Sequence, residues 1–388
     1  MMMKYLSSLK NKNLSDQICL LRVDFNLTDD DLKKQKVPLR IKSVLPTIKF
    51  LINRGAKVVI LSHRGRPNKT KIKNLSLGPF IKIISSLLKK SVNFISLKEP
   101  GLINKTRRKI KDSAGGNIFL LENLRFFPGE DKNDQKFAKN LASLGTFYIN
   151  DAFAFSHRPT ASIAGIPKFL PSYAGLLLEK EIRNLSQVMK KPKKPLVIIL
   201  GGAKISDKIG VIKNFIKKAN YLLLGGGVAN TFFAAKRLPI GNSLYEKQMI
   251  SVAKQLSKSR KIILPIDSAV QGKKILDIGP KTSKKYAEII KKARTIVWNG
   301  PMGYIENPKF AKGSKAIARA ILKSRAFSVV GGGETISIFP AACFKLHTSR
   351  LFISTGGGAM LKYLAGKKLP GIAALDNSRA SLATGGRR

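Results

Sequence analysis

Cysteine is almost missing from this chain. Cys19 and Cys343 are the only two in 388 residues. Two thiols cannot build a disulfide framework or a four-cysteine zinc site, and such scarcity suits a reducing compartment, so a cytoplasmic protein is expected. Histidine is nearly as rare, with three in the chain, and His63 and His157 lack the neighbouring ligands that a zinc site needs. Long hydrophobic runs are absent too. Residues 195–200 form an apolar run far short of a membrane span, and the first residues lack the apolar core of a signal peptide. No GxxxxGK[ST] occurs, which argues against a P-loop nucleotide site, and no GxGxxG with an acidic residue about 20 positions on supports a dinucleotide site.

Acidic residues are also scarce. Against 22 Asp and Glu stand 72 Lys and Arg, a formal net charge of +50. An excess of this size can signal a polyanion partner. Its distribution argues otherwise: residues 1–200 carry 38 basic and 14 acidic side chains, and residues 201–388 carry 34 and 8. With no basic arm or block, the even excess reads as a lysine-rich surface. No specific nucleic-acid partner and no membrane partner are expected.

What is present is a rhythm. Short apolar runs alternate with glycine-rich or polar turns and then with helical spacing. Strands are expected at residues 19–26, 57–63, 118–122, 146–150, 196–201, 221–225, 261–266, 295–299, 327–331 and 351–355. Helices are expected at 40–53, 134–143, 179–189, 207–218 and 312–323. Strands alternating with helices imply βαβ units and parallel sheets. The rhythm breaks at the charged, proline-bearing stretch 190–195. The expected fold is therefore α/β: two doubly wound, Rossmann-like parallel-sheet domains joined by a hinge helix. The boundaries are 1–175, a hinge helix and linker at 176–195, 196–370, and a C-terminal segment 371–388 that can return to the first domain.

In the second half, five strands end in glycine: 201–202, 225–227, 300, 331–333 and 356–358. Open α/β sheets bind ligands at the carboxyl ends of their strands. Glycine there lets backbone N–H groups approach phosphate. In the first half, strand ends carry Asp24 and Asn26, then His63, Arg64 and Arg66, then Arg125, then His157 and Arg158. Guanidinium forks match the oxygens of phosphate and carboxylate two at a time, so this ring suits a small anion bearing both. Lys204 and Lys208 stand near an expected helix start, where a cation is disfavoured. Their placement suggests an anionic ligand, with Asp207 as a candidate helix cap.

These segments resemble phosphoglycerate kinases. RVDFN at 22–26, LPTI at 45–48, SHRGRP at 62–67, LLENLRF at 120–126 and the NDAF…HR stretch at 150–158 look like that family's first domain. GGAKISDK at 201–208, GGG at 225–227, DIGPKT at 277–282, VWNGPMG at 297–303, GGGET at 331–335 and STGGGA at 354–359 look like its second. The likeness runs in order from about residue 15 to 375. It implies reversible, Mg²⁺-dependent transfer of the acyl phosphate of 1,3-bisphosphoglycerate to ADP, giving 3-phosphoglycerate and ATP. The resemblance assigns Asp24, Asn26, Arg40, His63, Arg66, Arg125 and Arg158 to the glycerate ligand in residues 1–175. It assigns Gly202, Lys204, Lys208, Asn299, Pro301, Glu306, Gly332, Gly333, Glu334 and Thr335 to the nucleotide in residues 196–370. Arg40 and Lys208 are the expected catalytic pair, Glu334 the expected Mg²⁺ partner, and the protein an expected monomer. The chain departs from the family pattern at Glu334, where Asp is usual, and at Thr160, Met360, Lys362, Leu27 and Thr28. A catalytically weakened member of the family, or a polyanion-binding protein on the same scaffold, are the alternatives.

Overall fold

The structure, a computed structural model, describes residues 3–34, 37–67, 73–96, 102–340, 343 and 350–376. The chain divides into two units, one of residues 1–181 and 368–388, the other of residues 182–367. The division falls inside a helix, Leu176–Lys190.

The first unit holds a six-stranded sheet. Its strands are β1 (Ile18–Arg22), β2 (Lys57–Leu61), β3 (Val92–Ile95), β4 (Ile118–Leu121), β5 (Phe147–Asn150) and β6 (Ser172–Ala174). They lie in the order β3-β4-β2-β1-β5-β6, and every pairing is parallel. β1 and β4 are buried along their whole length, as expected for strands covered by helices on both faces. From β1 the chain winds outward through β2, then returns to the other side of β1 as β5. That reversal is where open α/β sheets place their ligands. The helix Pro370–Asp376 closes this unit: Gly371 N–H donates to the Ser156 carbonyl at 2.8 Å, and the Asn150 amide donates to the Gly371 carbonyl at 3.2 Å.

The second unit has the same logic. Its strands are β7 (Leu196–Leu200), β8 (Tyr221–Leu224), β9 (Ile262–Ile263), a hairpin of β10 (Ser268–Gln271) and β11 (Lys274–Ile278), then β12 (Thr295–Asn299), β13 (Phe327–Gly331) and β14 (Leu351–Ser354). The main sheet runs β14-β13-β12-β7-β8-β9, the doubly wound order, with its reversal between β7 and β12. Leu196-Val197-Ile198-Ile199-Leu200 is wholly buried. The flanking helix Lys312–Lys323 buries Ser314, Ile317, Ala318 and Ile321, spaced three and four apart so that one face meets the sheet.

The expected fold class holds, and several element bounds change. β1 stops at Arg22, not residue 26. Beyond it, side chains take over from the ladder: Ser62 Oγ accepts from Phe25 N–H at 2.9 Å, and Asp24 Oδ1 accepts from Asn26 N–H at 3.0 Å. The expected strand 261–266 shrinks to two residues because Pro265 has no N–H to give. β3, β6 and the hairpin lie outside the expected strands. β3 lies at a sheet edge with only its first and last residues buried, and β6 spans three residues.

Candidate functional site

At the carboxyl ends of β2, β4 and β5, the first unit forms a cavity of about 330 Å³. Arg66, Arg125, Arg158 and Thr160 line it, with Asp131 as the one carboxylate among the described residues. Arg125 is anchored: its guanidinium donates to the Gly65 carbonyl at 2.6 Å and meets Asp131 at 3.3 Å. Arg66 and Arg158 are exposed. Arg40 comes from the helix Leu39–Ile52 and pairs with Asp24 at 3.1 Å, while donating to the Asn26 carbonyl at 2.8 Å. Asn26 Oδ1 accepts from Gly65 N–H at 2.8 Å. His63 is buried, its ring centroid 4.0 Å from that of Phe155. Burial, followed by the charges of Arg22, Arg125, Arg40 and Arg158, holds its pKa well below the ordinary imidazole value.

Two residues of this region behave differently from the sequence reading. Arg64 does not join the ring. Its guanidinium turns inward, donating to the Leu27 carbonyl at 2.9 Å and the Asn74 carbonyl at 3.1 Å and pairing with Asp29. Fixing the loop that follows β2 consumes its donors. Arg22 is the converse: it stands outside the expected ligand set, yet it is fully buried beneath His63. Its guanidinium donates through Nε to Ser162 Oγ at 2.7 Å and approaches Glu130 at 4.0 Å. Its place beside Asp24 in the RVDFN run was the available signal.

In the second unit the site is built mainly from backbone. β7 and β12 pair with Leu200 opposite Asn299, so 201–202 and 300–301 meet at the sheet's reversal. They approach closely: a Cβ on Gly300 would lie 2.2 Å from the Gly201 carbonyl oxygen, and Gly300 has φ +91°. Only glycine fits there. At Gly333, Gly357 and Gly358 the space where a Cβ would stand is open. Lys208 is buried and donates through Nζ to Asn299 Oδ1. Asn299 in turn donates to the Gly331 carbonyl at 2.8 Å, and Thr335 Oγ1 accepts from Gly300 N–H at 2.8 Å. Lys208, Asn299, the 331–335 turn and the 300–301 turn thus form one connected rim. Burial lowers the Lys208 pKa to about 8, against the pull of Asp207 and Glu334.

Lys204, Glu334 and Glu306 are exposed. Gly202 N–H donates to the Pro301 carbonyl at 2.8 Å, so Pro301 acts here through its backbone. A narrow cleft beside it is lined by Gly226, Ala229, Phe233, Leu276 and Met302. The helix after the 201–208 turn begins at Ile209 with Lys208 as its first flanking residue and no side-chain cap. Asp207 therefore does not cap it, because the turn holds residue 207 one position too early.

Among the described residues, no group of three or more His, Cys, Asp or Glu side chains could hold a metal ion. No helix there is long and apolar enough to cross a membrane.

The family model for phosphoglycerate kinase matches residues 9–367. The phosphoglycerate kinase of Herpetosiphon aurantiacus is 40% identical over 387 residues, covering 94% of this chain and 97% of its own. That of Pseudothermotoga lettingae is 41% identical over 399 residues, covering 96% and 99%. Among solved structures, the phosphoglycerate kinase of Coxiella burnetii superposes with a TM-score of 0.80 at 36% identity, covering 97% of this chain and 99% of that one. The Pyrococcus horikoshii enzyme superposes with a TM-score of 0.83 at 34% identity, covering 96% and 98%.

Proposed function

The chain belongs to the phosphoglycerate kinase family, and we propose that it works through two separate anion sites, one for the glycerate ligand and one for the nucleotide. The reaction is transfer of the acyl phosphate of 1,3-bisphosphoglycerate to ADP. An oxygen of the ADP β-phosphate attacks the acyl phosphorus, the bond from phosphorus to the carboxyl oxygen breaks, and 3-phosphoglycerate leaves as a carboxylate. Attacking and leaving groups are both ionised, so no general base is required. Catalysis then rests on positioning and on neutralising charge.

Arg66, Arg125 and Arg158 supply forked donors for the phosphate and carboxylate oxygens of the glycerate. Asp24 and Asn26 keep Arg40 and the turn after β2 in place for the same ligand. Gly202, Lys204, Asn299, Pro301, Glu306 and the 332–335 turn hold the nucleotide. Arg40 and Lys208 neutralise the phosphoryl group in flight. The observation that carries this reading is Lys208: a buried ammonium at a glycine rim, bonded to an amide, with no ion pair among the described residues. Such a cation is costly unless an anion completes it.

Mg²⁺ usually binds proteins through one or two carboxylates plus substrate phosphates. Glu334, exposed on the rim and within electrostatic reach of Lys208, fits that mode. The ion would supply neutralisation of the nucleotide phosphates, with Glu334 as its protein partner. The residues 176–195 act as a hinge in this reading, and the protein is a cytoplasmic monomer. Small-angle scattering with both ligands saturating should show a smaller radius of gyration than with either alone; an unchanged value argues against the hinge. The direct test of the activity is ATP formation from 1,3-bisphosphoglycerate and ADP across Mg²⁺ concentration. Folded protein with no turnover at any Mg²⁺ level overturns it.

A further inference from the structure

We infer that Arg22 is a positioning residue that fixes His63 as a neutral imidazole with its proton on Nε2, so that His63 serves the glycerate ligand as an uncharged hydrogen-bond donor. This rests on the assignment of the arginine-lined cavity to that ligand.

A guanidinium can only donate and cannot lose its proton in a protein. The Arg22 Nη2 atom lies 3.1 Å from His63 Nδ1, so Nδ1 must accept. An imidazole whose Nδ1 accepts carries its single proton on Nε2 and is uncharged.

The other donors of Arg22 are committed, which keeps it from swinging away. Nη1 donates to the Val23 carbonyl and lies 3.5 Å from the Leu61 carbonyl oxygen. Nε donates to Ser162 Oγ, whose O–H in turn donates a hydrogen bond to Glu130 Oε1 at 2.6 Å; Glu130 Oε2 accepts from Ser162 N–H at 3.0 Å. The Phe155 ring closes the other side, 5.0 Å from the Arg22 guanidinium carbon and 4.0 Å from the His63 ring. Arg22, Ser162 and Glu130 are all fully buried. A buried, fully satisfied network of this kind holds one arrangement.

The charges around His63 act in the same sense. Arg22, Arg125, Arg40 and Arg158 all oppose a second proton on the ring. The compensating Glu130 charge sits behind Arg22. Nε2–H has no hydrogen-bond acceptor among the described residues, so it remains available to a ligand oxygen. The site gains its positive charge from arginines alone, and acid does not switch His63 into an additional cation.

The test is the ¹⁵N spectrum of the His63 ring in the ligand-free full chain, assigned by comparison with His63→Gln. The expected result is a pyridine-type Nδ1 and a pyrrole-type Nε2 that persist from about pH 8 down to about pH 5, where an ordinary histidine would titrate. An Nδ1–H tautomer, or an imidazolium within that range, overturns the proposal. In Arg22→Met, the ring should lose its single tautomer and begin to titrate. KM for 3-phosphoglycerate should rise roughly 10- to 100-fold, the scale of a lost hydrogen bond to a charged group, with KM for ATP unchanged. A folded Arg22→Met protein whose His63 spectrum matches wild type also overturns it. If Arg22→Met fails to fold, the wild-type spectrum decides alone. If wild-type His63 shows the Nε2–H tautomer but 3-phosphoglycerate does not bind, the ligand assignment fails and the role of Arg22 stands.

Discussion

The two units share one sheet logic and build opposite kinds of site. In the first, the groups at the candidate site are side chains, and two of them are held by another side chain or carbonyl: Arg40 by Asp24, Arg125 by Asp131 and Gly65. In the second, the rim is mostly glycine backbone with, among the described residues, a single buried cation, Lys208. The contrast follows from the ligands proposed for them. A small anion offers few atoms, so specificity needs several forked charges around it. A nucleotide triphosphate offers a long phosphate chain that backbone N–H groups can follow closely, which side chains would only obstruct.

That difference can be broken from either side. The largest effect is expected at Lys208. Lys208→Ala should lower turnover by roughly 100-fold or more, the outcome expected of the proposed role in which its charge acts mainly in the transition state. The same group sets a pH limit. Its pKa is lowered to about 8, so the ammonium is present below that pH and lost as pH rises through it. Efficiency at low nucleotide should therefore fall above about pH 8, and bound nucleotide should move the limit upward. A Lys208→Ala enzyme that changes only KM would mark the residue as a simple binding group.

Next comes the backbone. Gly300→Ala places a Cβ 2.2 Å from the Gly201 carbonyl at a positive φ. Strain and overlap together should cost about 3 kcal/mol of stability, read as a lowered urea midpoint. No comparable loss is expected from Gly333→Ala, where the space is open; equal losses would show that crowding is not what selects glycine at residue 300.

The smallest effect is expected at Glu334. Glu334→Gln keeps the shape and removes the charge. It should raise the Mg²⁺ concentration for half-maximal activity several-fold, roughly the 1 kcal/mol scale of one exposed charge. Glu334→Asp should stay active. Wild-type Mg²⁺ dependence in Glu334→Gln would reduce the residue to a favourable charge at a helix start.

Much of this was legible in the chain. Continuous apolar runs such as 196–200 declare buried strands, and glycine at five strand ends declares a backbone rim. What escaped reading has a physical cause in each case. β6 has only three residues, and the hairpin β10–β11 is mostly half-buried or exposed rather than buried, so neither carries a full apolar period. Arg64 and Arg66 stand two apart in the same turn, yet one turns inward and one lines the cavity; that choice is made by Leu27, Asn74 and Asp29. Arg22 looks like one more cation in a chain of 72. Its partners Ser162 and Glu130 lie more than 100 residues away, so only the fold discloses its burial.

The separation of ligands between the two sites is tested most directly by calorimetric titration of 3-phosphoglycerate and ADP into the Arg66→Ala, Arg158→Ala double variant. Both residues are exposed, so folding should survive their loss. The expected result is 3-phosphoglycerate affinity weakened roughly 100-fold or more, two lost charge-assisted contacts, with ADP binding as in wild type. Unchanged 3-phosphoglycerate binding, or an equal loss of ADP binding, would contradict the account.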